Sequence, residues 1–180
     1  MRPVCRCRFY LTKPKRHQFD KALATGKEAV KLNGYNAQIY GGLVYANVEM
    51  GNYAKAVALC DKMMSIRPDI RSYSRVSYLC EIHGETEGAI EAMKLAVSAG
   101  YPGQEDHARA RLTLGNLYQN NGNLTQAQAQ YRQILNERPN YPFAIAALAG
   151  VEAKKGNPAE AEKLLKIACD IIPEVGFMSN

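Results

Sequence analysis

The chain has 180 residues, of which 47% are apolar and 22% charged, a balance that places it with globular chains rather than disordered ones. Its longest apolar run, Tyr141 to Val151, is eleven residues, and a membrane-spanning helix needs about twenty, so no span is expected. The net charge of +6 is carried wholly by residues 1–18, where Arg2, Arg6, Arg8, Lys13, Lys15 and Arg16 meet no acid; residues 19–180 are balanced, which argues against a basic nucleic-acid-reading surface on the body of the protein.

In chain order, residues 1–18 read as a basic and flexible arm. The arm contains Cys5 and Cys7, but a single Cys-x-Cys without a second ligand pair is a poor zinc site. Five cysteines at irregular spacing also make a poor disulfide framework and suit a reducing compartment; a cytoplasmic location is the default expectation, with an exported full-length form as the alternative. Residues 19–36 carry the spacing of one amphipathic helix, with Ala22 and Ala29 on one face.

From there a repeat takes over. Gly51, Gly84, Gly122 and Gly156 each follow an apolar helical pattern, at separations of 33, 38 and 34 residues. Five residues after each glycine stands an alanine: Ala56, Ala89, Ala127 and Ala161. Eight before lie Leu43, Val76, Leu114 and Leu148; nine after lie Cys60, Met93, Tyr131 and Leu165. The register closes on Pro68, Tyr101 with Pro102, Pro139 and Pro173. A stripe, a turn glycine, a second stripe opening on a small residue and a terminating proline describe an antiparallel helix pair of about 34 residues. One such pair cannot bury its own apolar face, so successive pairs must stack. The units are 37–69, 70–103, 108–141 and 142–175, with 104–107 as an insertion, 19–36 as a partial first unit and 176–180 as a tail.

The unit ARARLTLGNLYQNNGNLTQAQAQYRQILNERPNY, residues 108–141, resembles the tetratricopeptide repeat (TPR), and 70–103 is similar to the repeats of bacterial multi-repeat TPR proteins. The resemblance implies an all-α, right-handed solenoid of about four full repeats plus one partial repeat. It also implies a non-enzymatic scaffold that holds a protein or peptide in a concave groove lined by the first helices.

The face left free by the core stripe then gives the groove: Gln38 and Tyr45 in the first full unit, Arg71, Ser74, Arg75 and Tyr78 in the second, and Arg109 and Asn116 in the third. Arg71 and Arg75, one helical turn apart, suit a carboxylate, so an acidic peptide is the expected ligand. The competing reading pairs these arginines with Asp69, Glu81 or Glu85 on a solvated face. Arg71 and Arg75 match the final basic pair of the carboxylate clamp in chaperone-binding TPR domains, but Gly42 stands where that motif has Asn. No catalytic motif, metal ligand set or cofactor loop is present; Thr25-Gly26-Lys27 lacks the partners of a phosphate loop. Two alternatives stay open: a nucleic-acid- or membrane-associated protein acting through the arm, and a regulatory fragment of a larger multidomain protein. The last unit carries Leu164, Ile167 and Ile171 with no capping helix after it, so self-association through that end is expected.

Overall fold

The computed structural model describes residues 16–171 and contains, among them, nine α-helices and no strand. The helices are α1 (Arg16–Leu32), α2 (Ala37–Glu49), α3 (Tyr53–Ile66), α4 (Ile70–Ile82), α5 (Thr86–Ser98), α6 (Glu105–Asn120), α7 (Leu124–Glu137), α8 (Pro142–Lys154) and α9 (Pro158–Ile171). Neighbours pack in sequence order, and the first helices α2, α4, α6 and α8 also touch one another in succession. This is the stacked arrangement of an all-α solenoid.

The turn glycines set the hairpins. Gly51, Gly84, Gly122 and Gly156 have φ of 76, 78, 78 and 84°, the left-handed region that an L side chain avoids. The chain closes the same way at all four. The glycine N–H donates to the carbonyl three residues back, and the next N–H reaches five back: Asn52 to Asn47, Glu85 to Cys80, Asn123 to Tyr118 and Asn157 to Glu152, at 2.8–2.9 Å. This double closure satisfies carbonyls that the end of the first helix leaves open. The opposite ends are capped by side chains where polar residues allow it. Asn36 accepts from the Gln38 N–H, Asp69 from those of Arg71 and Ser72, and Asn123 from that of Gln126.

The four aligned alanines are buried, three of them completely, where the two helices of a pair cross. The position four residues later is filled by Cys60, Met93 and Tyr131, all buried. Tyr131 demands an absence on the facing helix: a Cβ on Gly115 would lie 2.3 Å from its ring. Leu165, in the same register on α9, is 48% exposed, whereas Cys60, Met93 and Tyr131 pack in clusters that include residues of the following unit. Leu164, expected on the uncovered surface, is instead half-buried against the cluster around Ala127 and Tyr131; Ile167 is exposed and Ile171 half-buried.

Two local differences from the sequence reading have physical causes. Helix α1 begins at Arg16 rather than at 19. Residues 104–107, which read as an insertion, supply a helix start: Gln104 is the N-cap of α6, and Glu105 and Asp106 occupy its acidic first turn. That turn carries buried His107 against Glu137 of α7, with Nδ1 and Oε2 3.3 Å apart but off the line of a hydrogen bond. Burial alone would raise the Glu137 carboxyl. Hydrogen bonds from Gln133 and the Gly103 N–H, with the charges of His107 and Arg111, outweigh it and hold the group below its usual range. Arg111 takes the place that an aromatic holds in the first two units. It is half-buried, donating to Gln130 at 3.1 Å and lying 3.8 Å from Glu137.

Candidate functional site

The first helices present one continuous face. A cleft of about 510 Å³ runs across α2, α4 and α6 and brings together Gln38, Arg71, Ser74, Arg75 and Arg109 of the expected groove residues. Met63 and Ile70 add apolar surface to the cleft, and Gly41 and Gly42 open its α2 side. The two glycines act differently. A Cβ on Gly41 would stand 3.4 Å from Met63 and 3.9 Å from Arg75 Nη2, in ordinary contact with both. A Cβ on Gly42 would meet nothing within 4 Å.

The arginines are not equivalent. Arg71 is committed: its Nε and Nη2 donate to Asp106 Oδ2 of α6 at 3.3 and 3.1 Å. Neither Asp69, which pairs with Arg67, nor Glu81 or Glu85 is its partner. Spacing along the sequence does not reveal Asp106 as that partner, because it lies 35 residues away in a stretch that reads as an insertion; the acidic pair opening a helix is the available signal. Arg75 is half-buried, its Nε shielded from solvent and, among the described residues, without an acceptor. Arg109 is exposed, and among the described residues neither it nor Arg75 has a carboxylate within 4 Å. Ser74 spends its proton on the Ile70 carbonyl at 2.6 Å.

Farther along the same face, Tyr45 and Tyr78 sit 6.5 Å apart, and Tyr45 is also 6.2 Å from Phe19 of α1. Burial and then the nearby Glu49 carboxylate push the Tyr78 hydroxyl up, so it remains a neutral donor. Asn116 is exposed but does not line the cleft. Its Oδ1 is 2.8 Å from Tyr131 Oη, which lies 3.0 Å from Gln119 Oε1 and shares its one proton between them. Beyond the Arg71–Asp106 pair the cleft opens into a wider hollow of about 940 Å³ at the inter-unit loops, edged by the exposed rings of Tyr35 and Tyr101.

Other candidate chemistry does not assemble. Among the described residues no group of His, Cys, Asp and Glu could hold a metal. Cys60 is buried and its thiol is pushed up to about 11, chiefly by burial, so it is a packed thiol rather than a nucleophile. No helix among the described residues is long and apolar enough to cross a membrane. Cys5, Cys7 and the basic residues of the arm up to Lys15 lie outside the described residues.

Models of the tetratricopeptide repeat match residues 37–70 and 112–175, together more than half of the chain. The chain is a tetratricopeptide-repeat protein. It is similar to cellulose synthase 1 operon protein C of Komagataeibacter xylinus, 27% identical over 165 residues, covering 83% of this chain and 12% of that protein. It is also 30% identical over 153 residues to cellulose synthase operon protein C of Komagataeibacter sucrofermentans, covering 77% of this chain and 11% of the relative. The chain thus spans about a ninth of the length of these relatives. Among solved structures, MamA has a TM-score of 0.66 at 21% identity, covering 87% of this chain and 90% of MamA. YrrB, described as a TPR protein with an unusual peptide-binding site, has a TM-score of 0.61 at 22% identity, covering 88% of this chain and 80% of YrrB. At that identity the likeness is one of fold. The TPR fold is a protein-interaction scaffold.

Proposed function

We propose that this scaffold holds an extended acidic peptide along the face of α2, α4 and α6, with Arg75 and Arg109 taking its carboxylates. The observation that carries the reading is the unequal state of the three arginines in one cleft. Arg71 already has Asp106, whereas Arg75 holds a shielded Nε–H that has no acceptor among the described residues. Leaving a charged donor desolvated and unpaired is costly, and a ligand carboxylate would relieve that cost. Tyr45 and Tyr78 offer flat apolar surface with a polar edge for the adjoining stretch of peptide. The matched segment is a small part of each Komagataeibacter relative, which fits a repeat array that recruits one component of a larger assembly. On α9, exposed Leu165 and Ile167 support self-association at that end.

The test is fluorescence anisotropy with a labelled tetraglutamate peptide at low salt. Arg75→Glu with Arg109→Glu is expected to weaken binding at least about tenfold while the helical circular dichroism is kept. Binding that is unchanged in this variant contradicts the reading. For the end contact, Leu165→Glu is expected to remove any concentration-dependent increase in mass seen by light scattering.

A further inference from the structure

The helix pairs differ at one position in a way that leaves a second cleft, on the side of α2 away from the groove. The eleventh residue of each unit is Asn47, Cys80, Tyr118 or Glu152. In the third unit Tyr118 packs against both the α5–α6 cluster and the cluster of α7 and α8, joining one pair to the next. In the first unit the short Asn47 turns back and donates to the Leu43 carbonyl at 2.8 Å. A second side chain is missing beside it. Register with the later units puts Gly26 of α1 where Cys60, Met93 and Tyr131 stand, and Leu43 leans into the vacated space, to within 2.5 Å of where a Gly26 Cβ would be. The result is a cavity of about 340 Å³ between α1, α2 and α3, with walls from Leu23, Leu43, Asn47 and Leu59 and a mouth flanked by Lys27 and Lys55.

We propose that this cavity is a docking socket for one aromatic side chain of a partner protein, presented by a segment with carboxylates next to that aromatic. The size is right for a single large side chain and sits at the small end of ligand cavities. The later unit shows what shape fits: the space left at Asn47 is the space a tyrosine ring occupies at Tyr118. The ring there has a lysine in the same register, since Lys94 of α5, beside Glu91 and Tyr118, corresponds to Lys27 of α1. The charge selects the rest. Lys27 and Lys55 are exposed, and among the described residues neither has a carboxylate within 4 Å; Glu28, the acid nearest Lys27 in sequence, pairs with Lys31. The chain's own N-terminal residues 1–15 contain Phe9 and Tyr10 but five basic groups and no acid, the wrong sign to settle between two lysines. An acidic aromatic segment satisfies both the shape and the charge.

This proposal does not rest on the groove, and the experiment keeps the two apart. The full chain carrying Arg75→Glu and Arg109→Glu, whose groove charge is reversed, is titrated with a labelled Glu-Glu-Tyr-Glu-Glu peptide, and with Glu-Glu-Ala-Glu-Glu and Lys-Lys-Tyr-Lys-Lys as controls. Saturable binding is expected for the first peptide only, with methyl and amide NMR shifts at Leu43, Asn47 and Leu59. Asn47→Tyr, added to this background, fills the socket from within and should cut affinity at least about tenfold while leaving the helical signal intact. Should that variant fold poorly, Lys27→Glu with Lys55→Glu, two exposed positions, should give a similar loss. Equal binding of the alanine peptide, or affinity unmoved by both variants, overturns the proposal. So does a shift of the Leu43, Asn47 and Leu59 signals on deleting residues 1–15, which would make the arm the occupant. A dimer abolished by Asn47→Tyr would make a second copy the occupant and equally overturn it.

Discussion

The joint of α1, α2 and α3 and the joint of α5, α6 and α7 are built on one register with opposite fillings. At the later joint Tyr118 and fully buried Tyr131 occupy the space, and Gly115 carries no side chain, so the Tyr131 ring can enter. At the earlier joint the same three registers hold Asn47, Cys60 and Val44. Val44 and Cys60 are buried there, but none of the three is aromatic, and a cavity of about 340 Å³ remains beside Asn47. The repeat register thus fixes where a side chain points but not whether the space it points into is filled. A filled joint adds stability, and an unfilled one leaves a place for something else.

The contrast is broken most sharply at Tyr131. Removing its ring with Tyr131→Ala is expected to cost about 3–5 kcal/mol, read by chemical denaturation. Cys60→Ala, in the same register of the looser joint, should cost clearly less, and equal costs would mean that the two joints are packed alike. Next comes the facing glycine. Gly115→Ala puts a methyl against the Tyr131 ring and should destabilise by about 1–3 kcal/mol. A gain in stability there would show that the ring is free to move aside.

Acid titration sharpens the contrast at the turn that precedes the later joint. Glu137 is held below its usual carboxyl range in the folded chain, so its contribution is present above the unfolded value of about 4.5 and is lost as pH falls through the lower folded value. Glu137→Gln should flatten the stability profile in that acid window. An unchanged profile below pH 4.5 would show that Glu137 contributes nothing there. The smallest effect is expected at Gly42, on the exposed face of α2 with open space around it. Gly42→Ala should stabilise the chain by about 0.5–1 kcal/mol through helix propensity alone.

The fold is legible in the sequence because the glycines, alanines and prolines that set it act locally. A positive φ at Gly122 and a close crossing at Ala127 follow from their own spacing. The state of the site is less legible because it depends on partners far along the chain. The sequence places Arg71 and Arg75 on one face, but which of them is neutralised is decided by Asp106, in a helical turn that reads as an insertion. Asn116 falls on the expected face, yet Tyr131, fifteen residues on, engages its side-chain oxygen. Leu165 has the register of a core residue and is exposed, whereas Cys60, Met93 and Tyr131 at that register lie in clusters drawn from two pairs.

The central claim, that Arg75 rather than Arg71 waits for a carboxylate, is tested most directly by the arginine Nε–H signals in an NMR titration with the tetraglutamate peptide. The Arg75 signal is expected to move on binding, while that of Arg71, already donating to Asp106, stays near its free position. Movement of Arg71 with Arg75 unchanged would contradict it.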